Sequence, residues 1–258
     1  MIDAAEIAKR LINAEQERQA IAPFTDGHPE LDTDTAYAAQ RMFVQARLDN
    51  GERIIGAKLG LTSRVKQKAM GVDSPLFGVV TDRMIAPFGE PIALNELIHP
   101  RVEPEIAFVL ARDIAAPATV SSVLAATEVV CGAVDVLDSR FEDYRFTLPD
   151  VIADNTSAGR FLLGPTQVAP SAIDDVRLLG CVLRLNGGVV ATAAGAAAMG
   201  HPAASVAWLA NQLGERGEAL KAGWTIFSGG LTAPIPLTAE NVVTAEFDGL
   251  GTIEVFAE

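Results

Sequence analysis

Thiols and imidazoles are scarce in this chain, and their scarcity removes several chemistries at once. The 258 residues include two cysteines and three histidines. Cys131 and Cys181 sit far apart in the apolar runs Val129-Val130-Cys131-Gly132 and Leu179-Gly180-Cys181-Val182. That placement excludes a disulfide scaffold and a cysteine-based zinc site, and predicts buried free thiols. His28, His99 and His201 form no HxH or HExxH pattern, which argues against an imidazole zinc centre. Basic residues are also few. Twenty Lys and Arg against 33 Asp and Glu give a net charge of −13, which argues against a nucleic-acid partner. No apolar run approaches the roughly 20 residues of a membrane span, so no membrane partner is expected. The opening Met1-Ile2-Asp3-Ala4-Ala5-Glu6 lacks a basic n-region and an apolar h-region, and a soluble, cytoplasmic protein is expected. No GxGxxG follows a strand, and neither a GxxxxGK[ST] loop nor a GxSxG elbow occurs.

What is present is apolar surface and glycine-punctuated β sequence. Hydrophobic residues make up 49% and charged residues 21%, enough for a substantial core. The first fifty residues carry helical signals. Ile7, Leu11, Ile12 and Ala14 mark one stripe ending before Ala22-Pro23. A second helix, capped by Thr33 or Asp34, turns Tyr37, Met42, Phe43 and Leu48 inward and closes at Asn50-Gly51. Short β-rich runs then follow: 54–61, 79–85, 102–110, 129–137, 161–163, 179–185, 189–191, 225–227, 242–247 and 252–256. Helices are expected only around 121–128 and 202–213, the latter opening on Pro202. The Ala193–Ala198 run reads as loop or helix. Because strands and helices do not alternate, an α+β fold is expected rather than a doubly wound sheet. The expected domains are a helical region over 1–52 and a β-rich unit over 53–258.

The chemistry lies in carboxylates. In Arg101-Val102-Glu103-Pro104-Glu105-Ile106-Ala107-Phe108, the period of 2 puts Glu103 and Glu105 on one face of a strand. Like charges beside an apolar run repel, and a hard divalent cation would relieve them; a solvated edge is the other reading. Farther on, in Gly132–Arg140, Asp135 and Asp138 sit in or at the end of an otherwise apolar strand. A buried unpaired carboxylate is costly. Asp135 as a third ligand, and Asp138 on Arg140 or a backbone amide, would meet that demand; both lying past the strand end in water is the alternative. Lys58, between Gly56 and Gly60, would pair with a substrate carboxylate, act as an acid or base, or extend to the surface.

Several segments in order carry a resemblance: Gly56-Ala-Lys-Leu-Gly-Leu-Thr-Ser63, Gly71-Val-Asp-Ser-Pro-Leu-Phe-Gly78, His99-Pro-Arg-Val-Glu-Pro-Glu-Ile-Ala-Phe108, Val136-Leu-Asp-Ser-Arg140, Ala153-Asp-Asn-Thr-Ser157, Gly195-Ala-Ala-Ala-Met-Gly-His-Pro202, Trp208-Leu-Ala-Asn211 and Ser228-Gly-Gly230. Together they resemble the 4-oxalocrotonate decarboxylase / 2-oxopent-4-enoate hydratase family of the fumarylacetoacetate-hydrolase-like superfamily. The resemblance implies a mixed β-roll, barrel-like core behind the N-terminal helices. It also implies a Mg²⁺ or Mn²⁺ site on Glu103, Glu105 and Asp135, with Asp135 where the family pattern usually shows Glu. Lys58 and Arg160 are implied as catalytic, and Leu61, Leu76, Asp154, Ser157 and Ser228 as substrate contacts. The implied partners are a small 2-oxo dicarboxylic acid and, for assembly, a homo-oligomer or a complex with a homologous hydratase.

Two positions tilt the choice between the sister activities. Hydratase-like sequences resemble Pro-Asp-[Phe/Tyr]-Gly where this chain has Pro75-Leu76-Phe77-Gly78. An apolar Leu76 would exclude water and favour loss of a carboxylate as CO₂. Arg160 resembles the decarboxylase-like pattern and would suit the second anion of a dicarboxylate. The expected activity is decarboxylation of 4-oxalocrotonate to 2-hydroxypenta-2,4-dienoate and CO₂ in meta-cleavage degradation of aromatic compounds. The alternatives are hydration of 2-hydroxypenta-2,4-dienoate, and an inactive scaffold partner of a hydratase marked by the altered ligand Asp135.

Overall fold

The computed structural model describes residues 2–64, 67–68 and 71–258. Two helices open the chain, α1 (Ala4–Glu17) and α2 (Thr33–Asp49), capped by the Asp3 and Asp32 carboxylates on the backbone N–H groups of Glu6 and Thr35. On α2, burial falls on Ala36, Ala39, Gln40, Phe43 and Val44, the i, i+3, i+4, i+7, i+8 stripe. Met42 lies off that stripe and is 47% exposed, contrary to its expected inward place.

The β sequence forms two sheets. The larger has the order β2 (Leu76–Thr81), β1 (Ile54–Gly60), β8 (Thr225–Phe227), β3 (Arg101–Leu110), β4 (Thr127–Leu137), β5 (Ala158–Val168), with the short β9 (Ile235–Pro236) also on β3. The smaller runs β11 (Gly251–Val255), β10 (Val243–Phe247), β6 (Gly180–Leu185), β7 (Gly188–Ala194). The mixed α+β architecture is as expected, but the larger sheet ends on β2 and β5 and does not close into a barrel. Strand β5 is far longer than the expected 161–163. As an end strand it tolerates Pro165, which reads as a breaker in the sequence. Strand β2 comes earlier than expected, because Asp82–Met84 forms a single tight turn.

Further helices are α3 (Val120–Ala126), α4 (Leu148–Ala153) and α5 (Pro202–Gly214). Helix α4 went unanticipated despite its capping box of Thr147 and Asp150. The Ala193–Ala198 run ends β7 and makes one turn at Gly195–Ala197.

Alternation along β3 and β4 sorts residues onto two faces. Val102, Ile106, Phe108, Val134 and Val136 join the main core with Cys181, Leu183, Phe247 and Ile253 of the smaller sheet and Val206 and Leu209 of α5. Gly132 lets Phe247 approach: a methyl there would meet its ring at 2.6 Å. The opposite face carries Ala107, Cys131 and Ala133, with Phe161 and Phe227 in ring contact at 4.6 Å. Helices α1 and α2 pack with Leu76, Phe141 and Val151 in a third cluster. Cys131 and Cys181 are buried free thiols, with burial pushing the first up to about 11 and the second to about 12. No described helix is long and apolar enough to cross a membrane.

Candidate metal centre

Glu103 and Asp135 are directly opposed across β3 and β4, and Glu105 is opposed by Ala133. Opposed residues of antiparallel strands share a face. All three carboxylates therefore lie on the face away from the main core, and their oxygens come within 4.8 Å of one another. Glu103 is 5% exposed, and Glu105 and Asp135 are fully buried. The reading of these groups as a solvated edge is thereby corrected. Lys58 joins them from β1, its Nζ 2.5 Å from Asp135 Oδ2 and donating to the Thr156 carbonyl at 2.7 Å.

The cluster fits a hard dication. Three carboxylates and one ammonium carry a formal charge of minus two. Burial, then the neighbouring Asp135 and Glu103 charges, push the Glu105 carboxyl well above the usual carboxylate range. The Gly229 N–H donates to Glu105 Oε2 at 2.7 Å, while Glu105 Oε1 is buried without a hydrogen-bond partner. That geometry leaves Oε1 as the oxygen to offer a metal. Gly230 presses on the other glutamate, where a Cβ would lie 2.1 Å from Glu103 Oε2. Asp135 reaches the cluster despite being one methylene shorter than Glu.

Behind Lys58 stands a tight turn. Asn155, Thr156 and Ser157 have φ of 49°, 59° and 54°, three successive non-glycine residues in the left-handed region. Such backbone costs about 1–3 kcal/mol per residue unless its surroundings impose it. Here they do. The Asn155 side chain pairs with Val79 like a neighbouring strand, Oδ1 accepting from N–H at 2.8 Å and Nδ2 donating to C=O at 2.9 Å. Asp154, before the turn, is ion-paired with the buried Arg140 and accepts from Ser157 Oγ at 3.1 Å. Burial lifts the Asp154 carboxyl to about 6. Asp154 and Ser157, expected as substrate contacts, are both buried and both hold the turn.

Asp138 accepts from the Ile98 and His99 N–H groups at 2.8–3.0 Å, as its burial requires. Leu76 lies opposite Gly60, two residues from Lys58 on the same face, and is 1% exposed. Leu61 is half-buried and packs toward the N-terminal helices. Ser228 is fully buried, and its Oγ has no hydrogen-bond partner. Arg160 is not brought to the cluster. It opposes Val136, hence faces away from Asp135, and pairs with Glu96 at 2.8 Å. The period of 2 already assigns Arg160 to the other face from Phe161, but only the β4–β5 register shows which face holds the carboxylates. The sequence marks the segments Ser228–Gly230 and Ala153–Ser157 as motifs, but not the backbone roles of the Gly229–Gly230 cradle and the Thr156 carbonyl, because a main-chain group's partner is set only by the fold.

A model of the family described as fumarylacetoacetate (FAA) hydrolase C-terminal matches residues 53–255. A 4-oxalocrotonate decarboxylase of Pseudomonas sp. (strain CF600) is 40% identical over 248 residues, spanning 96% of this chain and 94% of that protein. A 2-hydroxyhexa-2,4-dienoate hydratase of Comamonas testosteroni is 38% identical over 250 residues, with 96% and 94% covered. Among solved structures, 4-oxalocrotonate decarboxylase from Pseudomonas putida G7, complexed with magnesium and adipate, matches with a TM-score of 0.95 at 37% identity, over 99% of this chain and 97% of that one.

Proposed function

The chain belongs to the fumarylacetoacetate hydrolase C-terminal family, and from that premise we propose that it is a metal-dependent decarboxylase of 4-oxalocrotonate. The observation that carries this reading is the buried convergence of Glu103, Glu105 and Asp135 with Lys58. It also favours a working centre over an inactive scaffold.

Glu103, Glu105 through Oε1, and Asp135 would hold Mg²⁺ or Mn²⁺. The ion would supply Lewis-acid stabilisation for charge developing on the 2-keto oxygen of a 2-oxo acid. As CO₂ departs, the C5–C6 bonding pair shifts through C4=C5 and C2=C3 onto that oxygen, which then takes a proton. Lys58 holds an ammonium beside the cluster, fixed by Asp135 and the Thr156 carbonyl, where it stabilises the developing charge and has a proton to give. Leu76, buried opposite Gly60 on the face of Lys58, has no acidic group with which to hold a water, which supports decarboxylation over hydration.

Purified protein with Mg²⁺ is expected to consume 4-oxalocrotonate with stoichiometric release of CO₂. Hydration of 2-hydroxypenta-2,4-dienoate, with no CO₂ from 4-oxalocrotonate, would transfer the assignment to a hydratase, the reaction class that the Comamonas relative's name carries.

A further inference from the structure

With Arg160 turned to the far face and Lys58 engaged by Asp135 and the Thr156 carbonyl, the distal carboxylate of a 2-oxo dicarboxylate has no further cation among the residues so far placed at the site. We propose that Arg64 receives it, making Arg64 the residue that selects a dicarboxylate over a monocarboxylate. The inference rests on the 2-oxo acid reading above and deepens it.

A cavity of about 850 Å³ lies across the Gly229–Leu231 segment from the carboxylate cluster, and Thr62, Arg64, Trp208 and Leu231 are among the residues lining it. One loop separates cavity and cluster. A side chain on Gly229 would strike Thr62, and one on Gly230 would strike the Glu103 carboxylate. The Gly229–Leu231 segment therefore has the cavity on one side and a metal ligand on the other. Both walls of the cavity are tied together here, since the Met199 N–H donates to the Thr62 carbonyl at 3.0 Å. Gln67, also on the cavity lining, donates from Nε2 to the Leu61 carbonyl at 2.8 Å.

Arg64 is the one Lys, Arg or His among the described lining residues. Asp73, the acidic one, is exposed on the same cavity. A guanidinium offers a planar fork that matches a carboxylate through two parallel hydrogen bonds. Half-buried Trp208, with Met199 and Leu231, gives the apolar surface a flat conjugated carbon chain needs between the metal and that fork. The 2-oxo acid head would then lie at the carboxylate cluster and the far anion at Arg64.

The test is isothermal titration of the Mg²⁺-loaded protein with 2-oxoadipate and with 2-oxohexanoate. These probes share the 2-oxo acid head and the carbon count, differ only in the distal carboxylate, and lack the double bond that decarboxylation needs. The unsubstituted protein is expected to prefer 2-oxoadipate by roughly tenfold, with the margin shrinking as salt is added. Arg64→Ala should erase that preference by weakening 2-oxoadipate alone, and Arg64→Lys should keep part of it. Unchanged 2-oxoadipate affinity in Arg64→Ala, or an equal loss for both probes, overturns the role of Arg64. Failure of both probes to bind the unsubstituted protein would instead sink the 2-oxo acid reading, and the role of Arg64 with it.

Discussion

Lys58 and Asp135 meet as a buried ion pair, Nζ to Oδ2 2.5 Å, although β8 and β3 lie between the strands that carry them. In a flat sheet, three strand spacings amount to about 14 Å, beyond the reach of a lysine side chain. The sheet is therefore curled about this face, and the curl makes one site of residues from five segments of the chain.

Breaking that pair should cost both stability and rate. Lys58→Met leaves Asp135 buried beside two more carboxylates, and loss of one partner of a buried pair costs about 3–5 kcal/mol. Turnover is expected to fall by roughly 10²–10⁴. Chemical denaturation with and without Mg²⁺ should show the ion recovering part of the lost stability. A variant with full turnover would remove Lys58 from the mechanism.

Gly230→Ala probes the cradle. The new methyl would lie 2.1 Å from Glu103 Oε2, so the carboxylate must move. Mg²⁺ affinity is expected to drop about 10–100-fold, the usual effect of disturbing groups that orient a ligand. Titration calorimetry measures this independently of turnover; unchanged affinity would show that Glu103 has room to spare.

Metal binding should depend on pH through Glu105. Its carboxyl is held well above the usual range in the metal-free fold, first by burial and then by Asp135 and Glu103. As pH rises past the ordinary carboxylate value, the unfolded chain gives up this proton while the fold retains it, so metal-free stability declines. The decline ends once pH passes the folded-state value. Mg²⁺ requires the ionised form, so binding should release protons and tighten with pH over that window. Calorimetry in buffers of different ionisation enthalpy reads the proton count. Zero release would show Glu105 already ionised.

Asn155→Ala should loosen the left-handed turn that presents the Thr156 carbonyl to Lys58. Two part-buried hydrogen bonds to Val79 are lost, at a cost of about 1 kcal/mol or more. The expected kinetic signature is a lower kcat with little change in KM, since no substrate-facing group is removed. A change confined to KM would mean that the turn contacts substrate directly.

Much was legible in the residue order. Alternation placed Glu103 and Glu105 together, and the apolar run around Asp135 marked it as a carboxylate needing a partner. The ten expected strands appear, with shifted ends where Pro165 and Asp82–Met84 shape β5 and β2. The short α4 escaped because six residues give almost no periodic signal, although its capping box was there to read.

Local sequence determined which residue types lie on each strand face and which carboxylates demand a cation, because those follow from a period of 2 and from the cost of burying charge. It did not determine which strands become neighbours. Register and curl, fixed only when distant segments pack, sent Arg160 to Glu96, brought Lys58 to Asp135, and set Arg64 on the wall of a cavity across the Gly229–Leu231 segment from Glu103.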